Sequence, residues 1–430
     1  MTSTEQDKPT WCKPFPVIGK GTFLFNVSRN RPFRIIVRDL VPNSQIDTSF
    51  IEMKVGYEEA ILTCKTDNHN FVYPSKKPHP FFGNNIGIEK DLFCTYWLSY
   101  DSDRMIVKYG KGYRMNMTTI LNENVYLVKE SLRKIIKDAF FNPTVHRNVE
   151  LYDEVDVTYS MMDVETVVDF DHLPFVSDRP PIAVDSSMLN MFDLDEGRFT
   201  YSASLPKECL ELYTNVTAKN VDLALMEDDS CPDFNLVDAI RNSIRTPDAL
   251  LHGILKSKEG EFGKSDPRQT YLRITLGHEF GNSPGVPYVL EIWPSDHGSP
   301  IHNHGNSYGV IRVLHGGLTI NVYNKTSQVK QSTTYTPDDQ DYMFDFNVKK
   351  DDVTWISPNW YQTHKLWNNT DDFCATIQCY KYGENDNTHW PYFDYVASCN
   401  VMDEFEPNSD LTFTELFNKL KDEFLSSKSK

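Results

Sequence analysis

The chain has 430 residues, 40% apolar and 13% aromatic, and carries a formal net charge of −18 from 61 acidic and 43 basic side chains. That length predicts two domains rather than one. A surface so negative repels phosphate backbones and anionic headgroups, which argues against nucleic acid and membrane as partners.

The eight cysteines are scattered and form no CxxC pair, as expected of free thiols in a reducing compartment. The polar start "MTSTEQDKPT" lacks a signal peptide's apolar core, and no apolar run is long enough to span a bilayer. A soluble cytoplasmic protein is the expectation. Residues 1–19 read as a polar tail.

From about 22 to 115 the pattern is β. "TFLFNVS", "RIIVRDL", "FIEMKVGY", "EAILTC" and "LFCTYWLSYDSDRMIVKYGKG" are branched and aromatic runs broken by turn formers. Strands at this spacing predict a β-sandwich. The last stretch, ending Gly110-Lys111-Gly112, resembles the β-sandwich module named after farnesoic acid O-methyltransferase, over about residues 20–120. That module is regarded as a binding unit, so the resemblance implies a protein partner through this domain and no methyl transfer. "VYLVKESLRKIIKDAFF" then predicts a helix with Val128, Leu132, Ile135, Ile136 and Ala139 on one face, stopped by Pro143. The first domain therefore spans 20–150.

Residues 151–230 are acidic and irregular and read as a linker, with Pro180-Pro181 disfavouring helix. From 231 onward two short amphipathic helices, "NLVDAIRNSI" and "PDALLHGIL", precede a β pattern that holds from 271 to about 383. The tail is helical, with Thr412-x-x-Glu415 as a capping box ahead of Leu416, Phe417, Leu420, Phe424 and Leu425. No internal repeat is evident.

The chemistry concentrates in "SPIHNHGNSYGVIRVLHGGL". Residues i and i+2 of a strand point to one side, so His302 and His304 project together, about 7 Å apart at the backbone. The "HGG" at 315–317 turns the chain into a second alternating strand. A later histidine, His364, lies in "PNWYQTHKLWN" with Asn368 four positions on. This HxH, glycine turn, distant His and x-x-x-Asn form the pattern of a cupin, a small β-barrel with two motifs on facing strands. Many cupins add a glutamate ligand four or five residues after the HxH. Those positions hold Tyr308 and Gly309 here, so the expected ligands are three neutral imidazoles. Such a set accepts Fe(II), Zn(II), Ni(II) or Cu(II) and leaves the full +2 charge to attract an anionic ligand such as a thiolate.

Over about residues 230–400 the chain resembles the cysteine dioxygenase family of thiol-oxidising cupins. "QTYLRITLG" is similar to that family's Tyr-x-Arg stretch, which implies that Arg273 clamps a substrate carboxylate and that Tyr271 lines the pocket. The HxH segment and "WYQTHKLWN" imply Fe(II) held by His302, His304 and His364. Gly309 stands where animal members carry a cysteine that crosslinks to a tyrosine, so the crosslink is expected to be absent. The tyrosine itself matches Tyr380. A family Ser-x-His-x-Tyr network reads Thr376-Ile377-Gln378-Cys379-Tyr380 here. Thr376 keeps a hydroxyl, but Gln378 cannot titrate near neutral pH as histidine does. It can hold Tyr380 by a hydrogen bond and cannot relay a proton. Related enzymes acting on 3-mercaptopropionate carry Gln in place of Arg273, so Arg273 favours cysteine.

The leading expectation is thus a mostly β protein whose C-terminal cupin is an Fe(II)-dependent dioxygenase converting cysteine or a related small thiol, with O₂, to the sulfinic acid. Two alternatives stand beside it: a metal-dependent cupin with another reaction on a sulfur-containing or small carboxylate substrate, and a non-catalytic binding protein. His278, His297 and His315 read as turn or rim residues, and Cys374 and Cys379 as core rather than a zinc site.

Overall fold

The computed structural model describes residues 9, 11–27, 31–40, 49–89, 94–124, 130–153, 168–171, 178–218, 231–277, 288–305, 307–324, 342–383, 393–397 and 402–428. The chain divides into two compact units at Asp178 and Arg179. In the first lie strands β1 (Trp11–Pro14), β2 (Lys20–Val27), β3 (Phe33–Asp39), β4 (Phe50–Val55), β5 (Ala60–Lys65), β6 (Asn70–Pro74), β7 (Cys94–Asp101), β8 (Ile106–Lys111) and β9 (Thr119–Asn124). Helix α1 (Glu130–Phe140), β10 (Arg147–Asp153) and β11 (Val168–Asp171) follow.

These strands build two antiparallel sheets, β1-β10-β3-β4-β5-β6 and β11-β2-β7-β8-β9. The alternation seen in the sequence decides what lies inside. Phe23 and Phe25 of β2 and Tyr96, Leu98 and Tyr100 of β7 share one buried cluster with Ile35, Val37, Ile51 and Met53 of the other sheet. In α1 the buried stripe is Leu132, Ile136, Ala139 and Phe140, whereas Ile135 is exposed. Spacings of four, seven and eight residues keep a stripe on one face, and Ile135 lies off it. Val128 lies outside the described residues. Buried Arg147 ties this helix down, donating to the carbonyls of Ala139 and Asn142 and to the Tyr100 hydroxyl while pairing with Asp39.

The second unit opens with β12 (Ile182–Val184), α2 (Met191–Glu196), β13 (Thr200–Tyr201), α3 (Lys207–Val216), α4 (Leu236–Arg245) and α5 (Leu250–Ser257). Next come β14 (Leu272–Gly277), β15 (Tyr288–Trp293), β16 (His302–Asn303), β17 (Tyr308–His315), β18 (Gly317–Tyr323), β19 (Tyr342–Lys349) and β20 (Val353–Ile356). It closes with β21 (Thr363–Trp367), β22 (Cys374–Lys381), β23 (Phe393–Val396), β24 (Met402–Phe405), β25 (Leu411–Thr412) and α6 (Phe413–Lys428).

An eight-stranded sheet, β13-β12-β20-β17-β22-β15-β14-β25, faces a six-stranded one, β19-β18-β21-β16-β23-β24. Ile311 and Ile356 of the first meet Ile320, Val322, His364 and Leu366 of the second across a narrow apolar cavity. This is a cupin-type β-barrel within a mostly β chain. The turn between β17 and β18 needs its glycine: Gly316 sits at φ 69°, and a Cβ there would lie 2.5 Å from the Phe373 carbonyl oxygen.

Part of the expected linker belongs to this barrel. Within 151–230, β12 and β13 extend the eight-stranded sheet through β20, and α3 buries Cys209, Leu212 and Val216. The unit therefore begins near 179 rather than 231. The C-terminal helix is capped as expected, Thr412 and Glu415 exchanging hydrogen bonds, with Leu416 and Leu420 buried. Among the described residues no helix is long and apolar enough to cross a membrane.

Candidate metal centre

The short strand β16 pairs with β21 so that His302 stands directly opposite His364. Opposed residues of an antiparallel pair share a face, and His304, two residues on, joins them. The ligand nitrogens of the three rings all lie within 4.8 Å of one another. His304 Nε2 and His364 Nε2 are 3.3 Å apart. Two nitrogens each about 2.1 Å from a shared cation, at the angles of tetrahedral or octahedral ligands, are separated by roughly 3.0–3.4 Å. The His304–His364 separation fits one shared ion, and His302 lies close enough to join it with a small adjustment.

Hydrogen bonds aim two of the rings. His302 Nδ1 meets the Pro300 carbonyl at 3.0 Å, and His364 Nδ1 meets that of Tyr361 at 3.2 Å. A carbonyl accepts only, so each Nδ1 carries the proton and each Nε2 offers its lone pair. Tyr361 itself holds a left-handed backbone, φ 58°, at this turn. His304 is positioned by its backbone N–H, which donates to Gln362 Oε1 at 3.3 Å.

Burial keeps all three rings neutral. It lowers His302 to about 4, Arg273 adding to the effect against the Pro300 hydrogen bond, and takes His304 and His364 well below the ordinary value. Among the described residues no Asp or Glu joins the cluster. Three neutral imidazoles around a gap of the right size therefore suit a divalent cation.

The facing wall of the barrel is polar, and register explains why. Glu291 of β15 stands opposite Arg273 of β14 on one side and Thr376 of β22 on the other, with Gln378 one diagonal step away. Arg273 Nη1 donates to Glu291 Oε1 at 2.7 Å. Gln378 Nε2 donates to Glu291 Oε2 at 2.5 Å, and the Tyr380 hydroxyl donates to Gln378 Oε1 at 2.5 Å. A carboxylate at Glu291 fixes which way the Gln378 amide lies, so Tyr380 is left to donate toward it. The Tyr380 ring stacks on His304, linking this chain of contacts to the histidines. Thr376 Oγ1 accepts from Trp293 Nε1 at 3.2 Å and Gln378 Nε2 at 3.3 Å, and Tyr271 stacks on Trp293 at 4.3 Å. Burial pushes the Tyr271 and Tyr380 hydroxyls well up, so both remain protonated.

The sequence-predicted site residues thus come together: His302 and His364 on one sheet with His304 just past β16, and Arg273, Thr376, Gln378 and Tyr380 on the other with Tyr271 just before β14. Arg273 differs from its expected state, because its guanidinium already engages a buried carboxylate. Glu291 is the residue sequence reasoning missed. Its signal is a lone acid in "YVLEIW", at a position that alternation turns toward Arg273. Asn368 is a turn residue, its amide donating to the carbonyls of Trp293 and Asp372. His315 pairs with Asp372 and His297 with Thr270, away from the cluster, and His278 lies outside the described residues. Cys374 and Cys379 are buried in the core.

No family model and no curated protein matches this chain. Among solved structures, an oxalate oxidase in complex with the substrate analogue glycolate is 15% identical over 31% of this chain and 57% of that one, with a TM-score of 0.22. A sugar phosphate isomerase of the cupin superfamily from Silicibacter pomeroyi is 13% identical over 30% of this chain and 72% of that one, TM-score 0.17. Peruvianin-I, a cysteine peptidase from Thevetia peruviana latex, is 10% identical over 26% and 56%, TM-score 0.20. The chain thus spans little more than half of the oxidase and the peptidase. Likeness at this level carries no activity across, and the barrel stands on its own strand registers.

Proposed function

We propose that this chain is a non-haem Fe(II)-dependent thiol dioxygenase, adding both atoms of O₂ to the sulfur of cysteine or a related small thiol to give the sulfinate. The observation that carries this is a carboxylate-free cluster of three histidines, their nitrogens within 4.8 Å, set against a hydrogen-bonded polar wall. When bound, iron on three neutral ligands supplies one coordination sphere for thiolate and O₂ and keeps the +2 charge that favours an anionic sulfur.

The protein's own groups do the rest. The Pro300 and Tyr361 carbonyls hold two imidazoles in the ligating tautomer, and burial stops protons from competing for them at neutral pH. Tyr380, its proton committed to Gln378, offers an oxygen that accepts a hydrogen bond from a substrate N–H and so orients the thiol. The stacked pair of Tyr271 and Trp293, both buried, keeps water from that side of the pocket.

The test is oxygen uptake by protein loaded with Fe(II) without air, presented with cysteine and related thiols, with the product weighed by mass spectrometry. Thiol-dependent uptake and a gain of two oxygen atoms on sulfur are expected. Iron-loaded protein that consumes no O₂ with any small thiol contradicts the proposal.

A further inference from the structure

The wall facing the histidines bears on which thiol is taken. Arg273 and Glu291 are directly opposed on β14 and β15, and both are buried, at 7% and 3% exposure. Their ion pair measures 2.7 Å. The second Glu291 oxygen is held by Gln378, which in turn holds Tyr380 over the His304 ring. The other cation that acts on Glu291, Lys258, is committed to Asp410 at 3.0 Å and Glu261 at 3.4 Å. Each cation in reach of this wall is therefore already matched by a carboxylate.

We propose that Glu291 is the specificity-determining residue of the site: by neutralising Arg273 it makes the pocket select small aminothiols without a carboxylate over cysteine. The inference rests on the thiol-oxidising function proposed above and narrows its substrate class. Cysteine and cysteamine present the same sulfur and nitrogen and differ only in the carboxylate. To reach Arg273, that carboxylate must share one guanidinium with Glu291, in a buried space where like charges are poorly screened. Cysteamine brings no such charge. The Tyr-x-Arg resemblance implies a carboxylate clamp at Arg273, whereas the ion pair with Glu291 already fills that role, so the geometry and the motif point to different thiols.

The full chain reconstituted with Co(II) reports thiol binding through its visible absorption, independently of turnover. Titrated with both thiols at a pH above 7, where Glu291 is a carboxylate, the wild-type protein is expected to bind cysteamine at least about tenfold more tightly than cysteine. Glu291→Gln keeps the volume and removes the charge, and it should shift the cysteine-to-cysteamine affinity ratio at least about tenfold toward cysteine. Adding Arg273→Gln to that variant should cancel the shift. The wild-type ratio needs no variant to fold. Tighter cysteine binding by the wild type, or a ratio unmoved by Glu291→Gln, overturns this inference while leaving the metal site standing. Failure of Co(II) to bind, or binding that survives His364→Ala, overturns the function proposal and this inference with it.

Discussion

The rings of Tyr380 and His304 stack, their centroids 4.8 Å apart and their planes 23° from parallel. The arrangement exists because Gly309 is directly opposite Tyr380 in the register of β17 and β22. A Cβ at Gly309 would lie 2.8 Å from two Tyr380 ring carbons and 2.9 Å from Ile356 Cγ1. The ring occupies the space a side chain would need.

Gly309→Ala should therefore displace Tyr380 from His304. Overpacking of this kind costs about 1–3 kcal/mol. Thermal melts should show the loss of stability, and thiol-dependent O₂ uptake should fall with it. Unchanged values in both would mean that the ring position is not set by Gly309.

Tyr380→Phe keeps the stack and removes the hydroxyl, leaving Gln378 Oε1 buried without its donor. An unmet buried acceptor costs about 1–3 kcal/mol. The Michaelis constant for the thiol should rise, because an orienting contact is lost, while the bound metal remains at wild-type stoichiometry.

Glu291 and the histidines answer acid with opposite signs. Burial pushes the Glu291 carboxyl from 4.5 up to about 7, against the pull of Arg273 and Lys258, with Tyr271 and Tyr380 as its other titratable neighbours. The folded chain thus holds a proton that the unfolded chain releases, and this stabilisation is present below 4.5 and lost as pH rises to about 7. His302, lowered from 6.5 to about 4, works in reverse: the unfolded chain takes the proton, so the metal-free fold weakens as pH falls through that window. Relative to wild type, metal-free Glu291→Gln should therefore gain stability as pH rises from 4.5 to 7, by about 3 kcal/mol in all. Melting curves whose difference is flat with pH would show that Glu291 does not carry this proton.

Metal should stabilise the barrel through ligand linkage. Fe(II) or Co(II) at about one hundred times its dissociation constant adds about 2.7 kcal/mol. A chelator should reverse the rise in melting temperature, and His302→Ala should abolish it. A rise that persists in that variant would place the ion elsewhere.

How much of this was legible beforehand depended on whether the signal was local. The HxH, the "HGG" turn, the capping box at Thr412 and the alternating runs of β2, β3, β4 and β7 are written within a few residues each, and they fold as read. Strand β6 escaped notice because apolar side chains lie on both its faces, Phe71 and Tyr73 packing on the core while Val72 is exposed, so no alternation marks it. Strand β12 joins the barrel by pairing with β20, a partner far along the chain, and nothing in "PPIAVD" announces that partner. The Arg273–Glu291 pair is invisible for the same reason: the register of β14 against β15 decides it, and register is set by pairing rather than by motif. Local pattern therefore located the histidines, and long-range pairing determined the charge that faces them.

The most direct test of the central claim is metal stoichiometry in the full chain, measured by elemental analysis after anaerobic Fe(II) loading, for the wild type and for alanine variants of His302, His304 and His364. One iron per chain in the wild type is expected, with affinity falling more than about hundredfold in each variant. Iron that binds equally well when all three histidines are replaced would contradict the account.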